Sequence, residues 1–394
     1  MKFIPYGHQW IDKDDIEEVV KVLRSDWITT GPKIEEFENA LCKYIGCEYA
    51  VAVNSGTSAL DIAVQSLNLP DGSEVITTPF TFVATSNAIL YNGLKPVFAD
   101  ICSDTFNIDP DEIRKKISRD TRAIIYVDYA GQPCNIKAIK EIADEFDLYL
   151  VEDASHAIGA EYEGIKVGNF ADLTVFSFHP VKHITTGEGG AVVTGDEELH
   201  RRLLLLRNHG IDKDAYDRYG PDAPWAYDMV HLGRNYRITD FQAALGVSQL
   251  KKLDEFIEKR SELASMYDEL LSDVDAVRLP VVRGDVKHAW HLYTVLLDGS
   301  IDRDEFFKYM RVANIGVNVH YIPVYRHSYY VRNFGFDPED FPVTENVFKR
   351  IITLPLYPQM DIDDISYICG KIEAYGRRVY DKHISRRSLV GKVW

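Results

Sequence analysis

The chain has 394 residues, 46% of them hydrophobic and 27% charged, the balance of an ordinary globular protein too long for one typical core. Its formal net charge of -17 argues against nucleic acid or an anionic membrane as partner, because binding phosphates takes clustered cations. No apolar run is long enough to span a bilayer, and the opening MKFIPYGHQW lacks a basic-then-apolar signal pattern, so a cytoplasmic setting is expected. Five cysteines, Cys42, Cys47, Cys102, Cys134 and Cys369, form no CxxC pair and leave an odd count, which fits a reducing compartment better than a disulfide framework.

In chain order, YAVAV, ending at Val53, reads as a buried strand. Asn54-Ser55-Gly56-Thr57-Ser58 follows as a turn, then ALDIAVQSL as a helix. EVITTP ends at Pro79, FVATSNAILYNG reads as a helix closed by Gly93, and KPVFAD is a further short strand. PDEIRKKI starts a helix with Pro110 and Asp111 in its first turn. RAIIYVD, IKAIKEIADEF and LYLVED repeat the strand–helix–strand rhythm, which predicts a mostly parallel sheet flanked by helices. EELHRRLLLLRNHG is helical, and a polar loop follows at about residues 211–230, of a length that is usually functional. TDFQAALGVSQLKKLDEFIEKRSELASMYDELL is helical, as one helix or two. HLYTVLL and DRDEFFKYM then give a strand and a helix of a smaller α+β region. The expected division is 1–254 for the large domain and 255–394 for the small one, with a loose tail at RRSLVGKVW.

Three places carry chemistry. Lys182 lies between a strand-like run and a glycine-rich turn in FSFHPVKHITTGEGG. A desolvated lysine has a lowered pKa and reacts with aldehydes, although a loop lysine pointing into water fits the local sequence equally. Asp153 ends LYLVED, at the C-terminal tip of a predicted buried strand, the edge where open parallel sheets bind ligands. It also fits a helix cap, with Glu152 as its exposed neighbour. Together the two meet the needs of pyridoxal phosphate (PLP): a Schiff-base lysine and an acid for the pyridinium nitrogen. NSGTSAL puts Gly56 in a tight turn and Thr57 and Ser58 at a helix start, where a phosphate or plain capping is accommodated. Phe80 or Phe82, after a strand end, can stack on a flat ring or fill core. There is no Walker loop, GxGxxG fingerprint, GxSxG elbow or zinc-ligand spacing, so no metal is expected.

NSGTSAL, TTPxxF, EDASHA, FSFHPVKxxTTGEGG, NYRITDFQAA and HYIPVY, in that order over nearly the whole chain, resemble the DegT/StrS-type sugar aminotransferases. These are PLP enzymes of the aspartate-aminotransferase fold type I. The resemblance implies a large domain with a mostly parallel central sheet and a smaller α+β C-terminal domain. It makes Lys182 the Schiff-base lysine and proton shuttle, Asp153 the pyridinium partner and Phe82 the stacking aromatic. Gly56, Thr57, Ser58 and Ser177 would form the phosphate cradle. Asn235 would reach the phosphate of a neighbouring subunit, which implies a homodimer with shared sites. His156 stands where many members have glutamine near the cofactor's phenolic oxygen.

Dehydratases of the family carry histidine in place of the lysine, so Lys182 implies amino transfer. VDYAGQP, ASHAIGAEY, SQLKKL and HYIPVY look most like the transaminases of pseudaminic acid biosynthesis. The implied reaction moves an amino group from glutamate to C4 of a UDP-linked 4-keto-6-deoxy-N-acetyl sugar. Trp27, Thr30, Gly31 and Tyr321 are the candidate contacts to the nucleotide sugar. Attack at C3, a dTDP- or GDP-linked sugar, and a non-catalytic binding role on the same fold stand as alternatives.

Overall fold

The computed structural model describes residues 2–212 and 226–390, with side chains through 381. Residues 213–225 of the expected polar loop lie outside the described residues. The centre is a seven-stranded sheet. Its strands are β1 (Tyr49–Val53), β2 (Glu74–Thr77), β3 (Lys95–Phe98), β4 (Thr121–Val127), β5 (Tyr149–Asp153), β6 (Leu173–Ser177) and β7 (Gly190–Thr194), in the order β1-β7-β6-β5-β4-β2-β3. From β6 to β3 every pairing is parallel, and β7 runs antiparallel to both neighbours. The fold class is therefore the mixed α/β one expected.

The strands are apolar on both faces because both are covered. Alternate residues serve opposite layers. Val51, Val53, Ile125, Val151 and Val175 pack with α3 (Gly56–Ser66) and α7 (Glu197–Arg207). Ala52, Phe176 and Val193 face α2 (Pro32–Ile45) and α8 (Asp240–Leu250). Ile124 and Leu150 face α6 (Ile136–Phe146). β1, β2, β4, β5 and β6 all end at one edge of the sheet, and the segments at the ends of β1, β2, β5 and β6 carry Gly56, Thr57, Ser58, Phe82, Asp153, His156, Ser177 and Lys182.

The long helical stretch after residue 239 is two helices, α8 and α9 (Leu253–Leu271). α9 serves two cores. Leu253, Phe256 and Ile257 pack with the large sheet's layer. Leu263, Ala264, Tyr267 and Leu271 pack with a three-stranded sheet formed by Val277–Arg278, Tyr293–Leu297 and Ile351–Leu354. The expected boundary at 254/255 lies inside this helix, and Ile4 packs with the second cluster. Of the tail expected to be loose, residues 386–390 continue the last helix, Ile362–Val390, and 391–394 lie outside the described residues. Among the described residues no helix is long and apolar enough to cross a membrane, and no cluster of three or more His, Cys, Asp or Glu could hold a metal ion.

Glu152, which the helix-cap reading of Asp153 would leave exposed, is fully buried. With both faces of β5 covered, alternation turns Asp153 to one layer and Glu152 to the other. Glu152 Oε2 accepts from the Gly168 N–H at 3.0 Å and from Thr174 Oγ1 at 2.8 Å. Asp128, also fully buried, accepts from the Cys134 N–H at 2.9 Å. Among the described residues, Glu152 Oε1, Asp128 Oδ2 and the Tyr126 hydroxyl have no hydrogen-bond partner. Burial, then the nearby Glu152 charge, pushes Asp128 well above the usual carboxylate range. Burial raises Glu152 as well.

The stability held by these raised groups is full below the unfolded carboxylate pKa of about 4 and is lost as pH rises toward their folded values. Asp128→Asn keeps the acceptor for Cys134 and supplies a donor toward Glu152. It is expected to stabilise the fold by about 1–2 kcal/mol at pH 8 and hardly at all at pH 5. Thermal unfolding at the two pH values checks this, and an equal effect at both would refute the raised pKa of the buried pair.

Candidate active site

Ser55 caps α3, its Oγ accepting from the Ser58 N–H at 3.0 Å. The N–H groups of Gly56 and Thr57, first in the helix, have no intrahelical acceptor and sit at the positive end of its dipole. The Ser58 hydroxyl is turned to Asn54 Oδ1 at 2.6 Å. Ser177, at the end of β6, closes the other side: a Cβ on Gly56 would lie 2.9 Å from Ser177 Cβ and 3.1 Å from its Oγ. Gly190, opposite both Val53 and Ser177 in the sheet, is a further member that the sequence did not single out. Its Cβ would lie 2.6 Å from the Ser55 carbonyl oxygen and 2.8 Å from the Gly56 nitrogen. Gly190→Ala is therefore expected to push the turn outward, at about 1–3 kcal/mol of stability. It should also weaken phosphate binding, as phosphate and PLP titrations would show. Unchanged affinity would remove Gly190 from the cradle.

Asp153 is almost wholly buried. Its Oδ2 accepts from Thr85 Oγ1 at 2.7 Å. Its Oδ1 accepts from Ser155 Oγ at 2.6 Å and the Ser155 N–H at 3.2 Å. Thr85 is itself held by Thr81, their hydroxyls 3.0 Å apart. Thr85 and Ser155 were not anticipated as functional; both are ordinary helix and turn residues by sequence. The carboxylate is thereby fixed at the sheet edge.

Lys182 lies in the hairpin from β6 to β7, closed by hydrogen bonds from the Phe178 N–H to the Gly189 carbonyl (2.9 Å) and from the Thr186 N–H to the Phe178 carbonyl (3.0 Å). It is half-buried. Desolvation lowers its pKa to about 8, against the pull of Asp153, which raises it. The lysine therefore does not simply point into water. His183 next to it is buried, with Nε2 on the Ala289 carbonyl at 2.9 Å.

His156 is buried, its Nε2 3.0 Å from the Tyr321 hydroxyl and its Nδ1 without a hydrogen-bond partner among the described residues. Burial, then the charge of Lys182, holds it well below the usual imidazole range, so it is neutral. The two aromatic candidates separate cleanly. Phe80 is fully buried against Phe106 and Tyr129. Phe82 is 56% exposed, its ring 6.2 Å from that of Tyr321.

Trp27, Thr30 and Gly31 lie in a loop beside the start of α8. The Gly31 N–H donates to Asp240 Oδ2 at 2.7 Å, and Thr30 adopts a positive φ of 53°. Asn235 is exposed, bridged to Asn208. The structure thus brings Lys182, Asp153, His156, Ser177, Gly56, Thr57, Phe82 and Tyr321 to one sheet edge. It places Trp27, Thr30 and Gly31 beside α8 and Asn235 on the surface.

Residues 9–373 match the model of the DegT/DnrJ/EryC1/StrS aminotransferase family. The chain belongs to this family. It is 41% identical over 370 residues to the UDP-4-amino-4,6-dideoxy-N-acetyl-beta-L-altrosamine transaminase of Campylobacter jejuni, covering 93% of this chain and 95% of the relative. Its fold matches Helicobacter pylori PseC, an aminotransferase involved in the biosynthesis of pseudoaminic acid, with a TM-score of 0.89 and 34% identity over 97% of this chain and 100% of that one. It also matches the PLP form of the putative sugar aminotransferase Spr1654 of Streptococcus pneumoniae, with a TM-score of 0.89 and 31% identity over 96% and 99% of the two chains. The chain is thus a DegT-family sugar aminotransferase, and these neighbours confirm the fold type expected from the sequence.

Proposed function

We propose that this aminotransferase uses PLP to move an amino group from glutamate to C4 of a UDP-linked 4-keto-6-deoxy-N-acetyl sugar. It would work as a cytoplasmic homodimer with shared sites. The observation that carries the reading is the pairing of Lys182, its pKa lowered by desolvation, with Asp153, fixed by three donors at the same sheet edge.

The residues present fit the cofactor. Asp153 would hold its ring nitrogen, and His156, a neutral imidazole, its phenolic oxygen. The Gly56 and Thr57 N–H groups with Ser177 would take the phosphate, in a cradle that side chains at Gly56 or Gly190 would fill. Ser58 would support the turn, and Phe82 would cover the ring face. Asn235 would extend to the phosphate of the second copy. When bound, PLP supplies an electron-accepting ring that stabilises negative charge on the substrate carbon. Lys182 would hold and release the cofactor's aldehyde carbon and move a proton at its Nζ. Tyr321 and the Trp27–Gly31 loop would bind the sugar nucleotide.

The named relatives support the UDP sugar and the C4 position. Attack at C3, or a dTDP- or GDP-linked sugar, is the second reading, since the candidate substrate contacts include ordinary loop residues. Turnover with glutamate of a panel of UDP-, dTDP- and GDP-linked 4-keto and 3-keto sugars, with product analysis, tests both. Turnover of the UDP-linked 4-keto sugar supports the first. Exclusive turnover of another member of the panel overturns it, and turnover of none favours a binding role.

A further inference from the structure

We propose that His291 is a positioning residue that acts through His156, fixing the imidazole whose Nε2 meets the Tyr321 hydroxyl and which would meet the cofactor's phenolic oxygen. The inference rests on the PLP reading above for its place in the reaction, and on the protein's own geometry for its structure.

Among the described residues the His156 ring has one hydrogen bond, to Tyr321, and its buried Nδ1 has none. One bond at the end of an imidazole leaves the ring free to rotate about it, so packing must set the orientation. Tyr321 lies near-parallel to the ring at 6.0 Å, Tyr129 meets it edge-on at 6.5 Å, and His291 comes closest, at 4.4 Å between centroids. His291 is itself buried.

The segment that carries His291 is held at both ends. The N–H groups of Ala289 and Leu292 donate to the carbonyls of Gly131 and Ala130 at 2.9 and 3.1 Å. From α9, the fully buried Arg260 donates through Nη1 to the carbonyls of Trp290, His291 and Leu356 at 3.2, 3.3 and 2.9 Å. Gly131 makes the close approach possible. A Cβ there would lie 2.9 Å from the His156 carbonyl oxygen and 3.0 Å from the His291 nitrogen, and its φ of +103° suits glycine.

Lys182, His183, His320 and Arg260 are the cations and imidazoles that act on the His156–His291 pair. Burial first, then these neighbours, lowers both imidazoles well below the usual range. Both rings are therefore the uncharged imidazole near neutral pH.

The test places His291→Phe and His291→Gln in the wild-type and His156→Gln backgrounds. In holoenzyme, His291→Phe is expected to move the pH midpoint of the bound cofactor's absorbance by about 0.5 or more. It should lower kcat at least about threefold and leave KM within about twofold. Both effects should disappear in the His156→Gln background. In apoprotein, the ring 15N signals of His156 should shift in the His291 variants. Equal effects in both backgrounds, or unmoved His156 signals, would overturn the proposal. His291→Gln carries the same comparison if His291→Phe does not fold. If the protein takes up no PLP, the functional reading fails, and the apoprotein signals still decide the structural coupling.

Discussion

Lys182→Ala is expected to give a colourless protein whose turnover falls by roughly four orders of magnitude or more. On the proposed reading the side chain would supply both the covalent hold on the cofactor and the mobile proton, so no neighbour would replace it. His183 cannot, because its ring is buried and its Nε2 is committed to the Ala289 carbonyl. The apoprotein should show the same residue directly. Lowering the amine from its usual 10.5 to about 8 multiplies its neutral fraction at pH 7 roughly 300-fold. Aldehyde labelling of the apoprotein should therefore be concentrated at Lys182 near neutral pH and rise through about pH 8. A Lys182→Ala protein that stays yellow and active within tenfold of wild type would remove the lysine from the chemistry.

Asp153→Asn is expected to lower kcat by two to four orders of magnitude while the fold is retained. The amide is isosteric and keeps an oxygen for Ser155, but it presents a donor NH2 to the ring nitrogen or to Thr85. Thr85→Val removes one of the three donors that fix the carboxylate. A hydrogen bond to a charged group is worth about 1.5–3 kcal/mol, so a loss of roughly ten- to a hundredfold in kcat is expected. Steady-state kinetics with circular dichroism as the folding control checks both. If Asp153→Asn loses less than Thr85→Val, the assignment of Asp153 fails.

What was readable in advance follows a physical division. The strands and helices of the large sheet were legible because buried parallel strands are continuous apolar runs and their helices carry clear start signals. The positions of Lys182, Asp153 and the NSGTS turn at the sheet edge were legible because each sits at a strand-to-turn junction of recognisable composition. Thr85, Ser155, Gly190 and His291 were not. Each acts through a contact to a residue distant in sequence or through close backbone approach, and nothing in its neighbours marks that contact. The exposed Glu152 of the helix-cap reading is not found, for a related reason. A carboxylate is normally a surface residue, and only the coverage of both faces of β5 forces it inside. The end of the chain was expected to be loose, because a basic run at a terminus gives no apolar face to read; the helix nevertheless continues through Val390.

The helix Leu253–Leu271 has a consequence for anyone who divides this protein. A fragment ending at residue 254 would lose Phe256 and Ile257 from its apolar layer and expose the surface they cover. The complementary fragment would carry those side chains into water at the start of its first helix. Neither piece would have a closed interior, and exposed apolar patches of this kind drive association. The two halves of the chain are therefore one purchase for the expression host: separate production should yield aggregates, and co-expressed pieces should recover a soluble particle only by re-forming the shared helix.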